Sequence, residues 1–191
     1  MVSSFIPWRA RLPLRAAVCL CLLCLSASSV PIVEAQGAQT AFGEYQVKAA
    51  FLYNFAKFVE WPARDEKGPL KIGILGDDPF GDYLDKVIHD KTIRSRPIET
   101  RHFRSVDNLE VCDILFISDS ESKRTLDVIK ILAGVPVLTV SEGRGFAEQG
   151  GMIGLVIDDG KVRFDINAKA AKASGITVRS QLLDLARSVK K

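Results

Sequence analysis

The chain has 191 residues, 47% of them hydrophobic, and a formal net charge of +3 at pH 7. This length is enough for one domain with a buried core. A charge so close to neutral lacks the electrostatic footprint of a nucleic-acid-binding protein, so we expect no nucleic-acid partner.

The first 35 residues have the pattern of a secretory signal peptide. Arg9, Arg11 and Arg15 give a positive start, and the apolar run Ala16–Leu25 follows. This run is shorter than the roughly 20 residues that a membrane-spanning helix needs. Val33–Ala35 fits the small-x-small rule for cleavage directly after residue 35. We therefore predict export to the periplasm as a protein that is not itself transmembrane after cleavage.

Two alternatives at this end of the chain stay open. Cleavage at Ser26 or Ala27 also satisfies the small-residue rule. An uncleaved signal would instead act as an anchor.

Removal of the signal changes the charge and the cysteine content. With 23 basic and 22 acidic residues left, the net charge falls to +1. Cys112 is then the one remaining cysteine, so an internal disulfide is excluded. We expect a buried thiol, since cysteine is among the most buried residue types. A cross-link between two subunits is the alternative.

An amphipathic helix opens the mature chain. Residues 36–43 are small and polar and predict a flexible leader, and the helix is predicted from Glu44 to Glu60. Its apolar residues cover a wide arc, so the helix should lie on a sheet, a partner subunit or both. Lys48 falls within the arc, and its ammonium is expected to reach water. Pro62 ends the helix.

Strands and helices then alternate. The predicted elements are the strand Leu70–Leu75, the helix Phe80–Ile88, the strand Pro97–Phe103, the strand Asp113–Ser118, the helix Glu121–Leu132 and the strand Val135–Val140. This order predicts a parallel sheet covered by helices.

The alternation stops after Ser141. A glycine-rich loop, 142–151, precedes two strands that flank Asp158–Lys161, a strong hairpin signal. Asn167 is placed to cap a short helix, and a last helix is predicted over Ser180–Val189. Residues 44–191 are therefore predicted to form one α/β domain. Its sheet is mixed and largely parallel, in three α/β/α layers, with a C-terminal β-hairpin and two terminal helices.

No catalytic, cofactor or metal site is recognisable. His89 and His102 lack metal-ligand spacing, and no phosphate-binding glycine motif or nucleophile elbow occurs. Asp77 and Asp78 follow a strand, where α/β sheets commonly bind ligands, but a turn and a helix cap explain them equally. We therefore predict a protein that is not an enzyme, with a binding or regulatory role.

Two sets of residues are candidates for contact with a partner protein. The exposed side of the opening helix supplies Tyr53, Asn54, Lys57, Glu60 and Trp61. A basic cluster around one strand supplies Arg94, Arg96, Arg101 and Arg104. A docking surface for an acidic partner is one interpretation of the cluster, and a solvated face is the other.

Two long segments resemble the YfiR family of periplasmic proteins. Tyr45–Pro62, YQVKAAFLYNFAKFVEWP, resembles the opening helix of that family, and Val162–Val189 resembles its closing block. The segments CDILFIS and Gly150–Ile153 are also similar, so the resemblance extends over Glu44–Val189. It implies a periplasmic α/β protein that is often a homodimer and has no known catalysis.

The resemblance also implies partners. The best-studied family member restrains a membrane-bound diguanylate cyclase by binding its periplasmic sensor region, and an outer-membrane lipoprotein relieves that restraint. A similar chain would be a negative regulator of cyclic-di-GMP signalling, and so of biofilm formation and motility. Disulfide switching does not carry over, because only Cys112 matches the family's cysteines.

A small-ligand-binding module with no cyclase partner is the alternative function. Its pocket is expected at the strand ends near Asp77, Ser118 and Ser141.

Overall fold

A mixed sheet organises the molecule, and its helices lie on both faces. The computed structural model describes residues 33–62 and 68–191. The helices in these residues are α1 (Val33–Phe58), α2 (Asp82–Ile88), α3 (Thr125–Ile131), α4 (Ala168–Ala173) and α5 (Ser180–Leu185). The strands are β1 (Val59–Glu60), β2 (Leu70–Leu75), β3 (Thr92–Ile93), β4 (Arg96–Phe103), β5 (Ile114–Ile117), β6 (Leu138–Ser141), β7 (Ile153–Asp158), β8 (Lys161–Asn167), β9 (Thr177–Val178) and β10 (Ser188–Lys190).

The strand order of the main sheet is β10-β8-β7-β6-β5-β2-β4-β3. Neighbouring strands from β7 to β4 run parallel, while the β7–β8 and β3–β4 hairpins are antiparallel. The last strand, β10, pairs with β8 in parallel. A second, two-stranded sheet joins β1 to β9. The predicted mixed, largely parallel α/β sheet is confirmed.

The central strands are buried because both faces of the sheet are covered. In β5 all four residues are buried, which is typical of parallel strands under helices. Phe55 of α1 packs edge-on to Phe164 of β8, with ring centroids 5.2 Å apart, in the core on one face. Val128 of α3 packs with Phe146 in the core on the other face. Helices on both sides make the predicted three layers.

Two local predictions of the C-terminal half are confirmed. Asp159 and Gly160 have positive φ values of 48° and 69°, as a tight turn between β7 and β8 requires. The side chain of Asn167 accepts a hydrogen bond from the Ala170 amide at 3.0 Å and caps α4. Residues Ala38–Lys191 belong to one compact unit.

The first helix differs from its prediction at both ends. It begins at Val33, so residues 36–43, predicted as a loose leader, lie within it. It ends at Phe58, and Glu60 belongs to a strand. The pairing of β1 with β9 takes over the backbone hydrogen bonds before Pro62 is reached, so proline does not set the end.

Other predicted bounds also needed correction. The helix predicted from Phe80 begins at Asp82, and the one predicted from Glu121 is a 3-10 turn (Asp119–Arg124) before α3. The last helix, predicted to reach Val189, stops at Leu185 and is followed by β10. That strand forms because it extends the sheet beside β8, an outcome that helical periodicity does not reveal.

Within residues 33–62 and 68–191 we find no helix that is both long and apolar enough to cross a membrane. Of the predicted signal peptide, 1–35, only residues 33–35 lie among the described residues, so this prediction is untested.

Candidate functional site

The structure joins one end of α1 to the turn between β3 and β4. Arg94 stands in this turn and donates from Nη2 to the carbonyl oxygen of Val59 at 3.0 Å. The ammonium of Lys91, just before β3, lies 4.6 Å from the centroid of the Tyr53 ring. The exposed side of the opening helix and the first member of the arginine cluster therefore share one surface. We call Tyr53, Lys57, Lys91 and Arg94 the Tyr53 surface.

Positive charge is concentrated on the Tyr53 surface. Lys57 also lies over the Tyr53 ring, with its ammonium 5.5 Å from the centroid. Lys57, Lys91 and Arg94 are exposed, and neither lysine forms an ion pair with any described residue. A cation over an aromatic face gains about 0.5–1 kcal/mol at an exposed site. The ring of Tyr53 thus brings together two ammonium groups that have no ion-pair partner in the described part of the chain.

Two other residues of the predicted helix surface bind within the protein. Glu60 accepts a hydrogen bond from Nε of Arg179 at 2.8 Å, and this pair sits beside the β1–β9 pairing. The indole of Trp61 donates to the carbonyl oxygen of Asp113 at 3.0 Å. Both residues are half-buried, as is Asn54. Their contacts connect the end of the first helix to the sheet.

The rest of the arginine cluster is spread along β4. Arg96 is half-buried and donates to the carbonyl oxygens of Gly68 and Pro69 at 2.9 and 2.8 Å. Arg101 lies about 17 Å further along the strand, at about 3.3 Å per residue. It is exposed and pairs with Glu99 at 2.9 Å, and Arg104 is exposed beyond it. The four arginines therefore do not form one patch.

A polar cleft of about 630 Å³ lies at the carboxyl ends of β5 and β6. We call it the Glu142 cleft. Its charged and polar lining comprises Glu44, Tyr45, Lys48, Asp119, Glu142, Arg144, Glu148, Asp165 and Arg187. The sequence predicted a pocket near Asp77, Ser118 and Ser141. Ser118 and Ser141 directly precede the lining residues Asp119 and Glu142, whereas Asp77 does not line the cleft. The sequence prediction did not identify the contributions of α1 or of Arg187.

Lys48 is the most buried charge in this cleft. Its side chain is 3% exposed, and its ammonium pairs with Glu44 at 2.5 Å and with Glu142. The prediction that this ammonium reaches water is wrong, because Glu142 supplies a carboxylate inside the protein. Tyr45 adds to the network, since its hydroxyl donates to Oε1 of Glu142 at 2.9 Å. Burial, followed by the negative charge of Glu142, raises the pKa of the Tyr45 phenol above its usual range.

A second ion pair closes the other side of the cleft. Asp165 is buried and accepts hydrogen bonds from Nε and Nη2 of Arg187 at 2.9 and 2.5 Å. The hydroxyl of Ser188 donates to the same carboxylate at 2.8 Å. The hydrogen bond from Arg187 is the main cause of a lowered pKa for Asp165. These contacts hold β10 against β8.

Three charged residues of the Glu142 cleft, Arg144, Asp119 and Glu148, form no ion pair with the residues that the structure describes. Arg144 stands in the glycine-rich loop between Gly143 and Gly145, and Asp119 follows β5. With the exposed Glu148, the cleft therefore presents one cation and two carboxylates to solvent.

The side chains of His102 and Cys112 lie on opposite faces of the sheet. His102 binds Asp78 through Nε2 at 3.0 Å, on one face of β4. Its neighbour Phe103 packs with the buried Cys112 in the core of the opposite face, as strand alternation requires. Among the described residues no three His, Cys, Asp or Glu side chains are grouped to hold a metal ion.

The chain belongs to the YfiR/HmsC-like family. The model of that family matches residues 45–187, most of the chain, from Tyr45 of the Glu142 cleft to Arg187 on its other side. Proteins of this family are periplasmic and regulatory.

Solved structures show the same fold at low identity. The ABC domain in complex with L-Trp from Streptococcus pneumoniae aligns with a TM-score of 0.52 and 15% identity over 76% of this chain. A conserved domain protein from Vibrio cholerae O1 biovar eltor aligns with a TM-score of 0.54 and 13% identity, also over 76% of this chain. This chain spans 60% of the length of each of these proteins.

Proposed function

We propose that this protein is a periplasmic regulator that restrains an inner-membrane diguanylate cyclase by binding its periplasmic sensor region. The restraint would lower cyclic-di-GMP and so limit biofilm formation. Membership of the YfiR/HmsC-like family supports the regulatory class. The contact surface rests on one observation: two exposed lysines that form no ion pair with a described residue share the ring of Tyr53.

The Tyr53 surface suits an acidic segment of the partner. A partner carboxylate would gain two ammonium groups and the Arg94 guanidinium without first breaking an ion pair of the lysines. Complementary charge of this kind raises the rate of association and selects the orientation of the partner. Tyrosine adds a rigid apolar surface between the charges.

Restraint requires that the regulator distinguish two states of the cyclase. It must bind the inactive state more tightly, and each tenfold preference corresponds to about 1.4 kcal/mol. To shift the receptor from about 99% active to about 99% inactive, the regulator must bind the inactive state about 10⁴-fold more tightly. An outer-membrane lipoprotein that captured the same surface would relieve the restraint by competition.

The test combines a double charge reversal with a matched control. Lys57→Glu with Lys91→Glu reverses the Tyr53 surface, whereas Lys169→Glu with Lys172→Glu reverses two exposed lysines on α4. Each variant is used for affinity capture from detergent-solubilised envelopes, and cellular cyclic-di-GMP is measured after it replaces the wild type. We expect the wild type and the α4 variant to retain a membrane cyclase and hold the nucleotide low. The surface variant should lose both effects. Enrichment of no cyclase by the wild type would refute the proposal, and equal behaviour of the two variants would refute the assigned surface.

A second candidate function is the binding of a small ligand in the Glu142 cleft. Arg144 and Asp119, which have no ion pair within residues 33–62 and 68–191, match a molecule that carries both a carboxylate and an amino group. The cleft volume of about 630 Å³ is within the usual range for small-molecule sites. The ABC domain with the similar fold holds such a molecule, L-Trp.

Calorimetric titration with a panel of amino acids tests this candidate. We expect a saturable heat for at least one of them, and its loss in Arg144→Gln but not in Arg163→Gln, an exposed control on β8. Absence of saturable heat across the panel would leave the cleft without support as an amino-acid site.

A further inference from the structure

The Glu142 cleft carries an excess of negative charge. Its lining contains five carboxylates and three cationic side chains, which gives a formal charge of −2. Lys48 does not remove this excess, because its single ammonium serves the carboxylates of both Glu44 and Glu142. The pair of Asp165 with Arg187 is already balanced. The cleft therefore favours a ligand whose own net charge is positive.

The carboxylates of Asp119 and Glu148 act on two different walls of the cleft. Burial is the main cause of the raised pKa of the Tyr45 phenol on α1, and the charge of Asp119 adds to it. The hydrogen bond with Asp165 is the main cause of the raised pKa of Arg187, just before β10, and the charge of Glu148 adds to it. Each carboxylate is therefore placed to bind a separate cationic group of one ligand.

The glycine-rich loop fixes the backbone of Arg144 and Glu148. The amide of Gln149 donates to the carbonyl oxygen of Gly145 at 3.0 Å, which closes one helical turn. The side chain of Gln149 donates to the carbonyl oxygen of Arg144 at 2.8 Å. Phe146, which is buried, anchors the turn in the core beside α3. Arg144 and Glu148 are thus exposed on a backbone that is held in place.

The carboxylate of Glu148 lies against this loop, at the cleft. Its Oε2 is 3.6 Å from the position that a Cβ on Gly145 would occupy, and Gly145 also lines the cleft. Arg144 stands four residues before Glu148, a spacing at which opposite charges on a helical turn commonly pair. Within the described part of the chain the two form no ion pair, so both charges are available to a ligand.

A ligand with one carboxylate and two cationic groups satisfies all three charges. The guanidinium of Arg144 suits the carboxylate, because guanidinium and carboxylate groups form paired hydrogen bonds. Asp119 then binds the α-amino group, and Glu148 binds a cation on the side chain. A neutral amino acid leaves Glu148 without a partner, and an acidic amino acid places like charges next to each other, which costs affinity.

We propose that the ligand of the Glu142 cleft is an α-amino acid with a cationic side chain, such as L-arginine or L-lysine, and that Glu148 selects it. The proposal rests on the second candidate function, amino-acid binding in this cleft. It adds the chemical class of the amino acid and the residue that sets the specificity.

Calorimetric titration with pairs of amino acids that differ mainly in side-chain charge tests the proposal. We expect L-arginine to bind about threefold to fivefold more tightly than its neutral counterpart L-citrulline, the range for a partly exposed ion pair. L-lysine should exceed L-norleucine similarly. Glu148→Gln should abolish both preferences and bind L-citrulline as the wild type does, which also shows that the variant is folded. Glu110→Gln, which neutralises an exposed carboxylate before β5 and outside the cleft, is the matched control and should keep both preferences.

The possible results separate this proposal from the candidate function on which it rests. Equal affinities for L-arginine and L-citrulline would overturn the selection by charge and leave the cleft an amino-acid site. Absence of saturable heat with every amino acid would overturn both. A preference for L-arginine that Glu148→Gln leaves unchanged would overturn the role of Glu148.

Discussion

Lys48 and Glu142 form an ion pair although they are 94 positions apart in the chain. The lysine belongs to α1, and the glutamate follows β6. The side chains are 3% and 13% exposed, so water screens this pair little. The pair connects the first helix to the carboxyl edge of the sheet, where the Glu142 cleft opens.

Replacement of Lys48 by methionine should destabilise the protein. The change leaves the carboxylates of Glu142 and Glu44 without their common partner, and removal of one member of a buried pair costs about 3–5 kcal/mol. Because Glu44 is 30% exposed, we expect a loss of about 2–4 kcal/mol in the free energy of unfolding. Urea unfolding measures it. Lys86→Met, which breaks an exposed ion pair, should cost less than about 1 kcal/mol. Equal losses in the two variants would contradict the role given to burial.

The ion pair of Asp165 with Arg187 should make stability depend on acid pH. The pKa of Asp165 is lowered in the folded protein, mainly by the hydrogen bond from Arg187. The unfolded chain therefore takes up the proton first, and the stabilisation is complete above the unfolded pKa of about 3.9. It is lost as the pH falls through the lower folded value. Asp165→Asn should be less stable than the wild type at pH 7 and should lose less on acidification.

Urea midpoints between about pH 2 and pH 7 measure this difference. Asp159→Asn, at the exposed tip of the β7–β8 hairpin, is the control and should keep the wild-type profile. A constant gap between Asp165→Asn and the wild type over the whole range would refute the linkage.

The phenol of Tyr45 should make the stability of the protein depend on pH in the alkaline range. Burial and the nearby Glu142 raise the pKa of its phenol above the ordinary value of 10.0. The unfolded chain loses this proton first, so the contribution to stability is present below about pH 10 and is lost as the pH rises towards the folded value. Tyr45→Phe lacks this group and should lose less stability than the wild type above about pH 10. Chemical unfolding at a series of pH values shows whether the two curves converge. Parallel curves would contradict the prediction.

Gly151 should not tolerate a side chain. A Cβ at this position would lie 2.2 Å from the ring of Phe146, which is buried in the core beside α3. The ring has to move, and overpacking of this kind costs about 1–3 kcal/mol. Thermal unfolding of Gly151→Ala should therefore occur at a lower temperature than that of the wild type. Gly43→Ala meets no atom within 4 Å in α1 and should be neutral or stabilising by about 0.5–1 kcal/mol. If the Gly151→Ala protein were as stable as Gly43→Ala, the ring of Phe146 would have to move aside at little cost in free energy, contrary to the prediction.

The elements that sequence predicted well depend on local signals. The strand Leu70–Leu75 is a continuous apolar run, and its bounds are confirmed. The turn at Asp159 and Gly160 and the cap at Asn167 are confirmed because the required residue types stand at those positions. Each of these signals lies within a few neighbouring residues.

The features that sequence missed depend on distant partners. Val59 and Glu60 lie in a strand and not in the predicted helix, because they pair with Val178 and Thr177. Lys48 was expected in water because its second and more buried partner, Glu142, lies 94 positions away in the chain. Lys91 was absent from the predicted contact surface because only the fold brings it over Tyr53. These contacts join segments whose proximity is decided by the order of strands in the sheet.

The spacing of Lys48 and Glu142 has a consequence for assembly of the chain during synthesis. Because the amino end of a chain is synthesised first, α1 with Lys48 leaves the ribosome long before Glu142, which pairs with the lysine ammonium. Until the second half of the polypeptide arrives, the helix holds a lysine in its apolar face without that counter-ion. Fragments that stop short of residue 142 should therefore leave this helix undocked, which makes its docking a late event in the maturation of the protein.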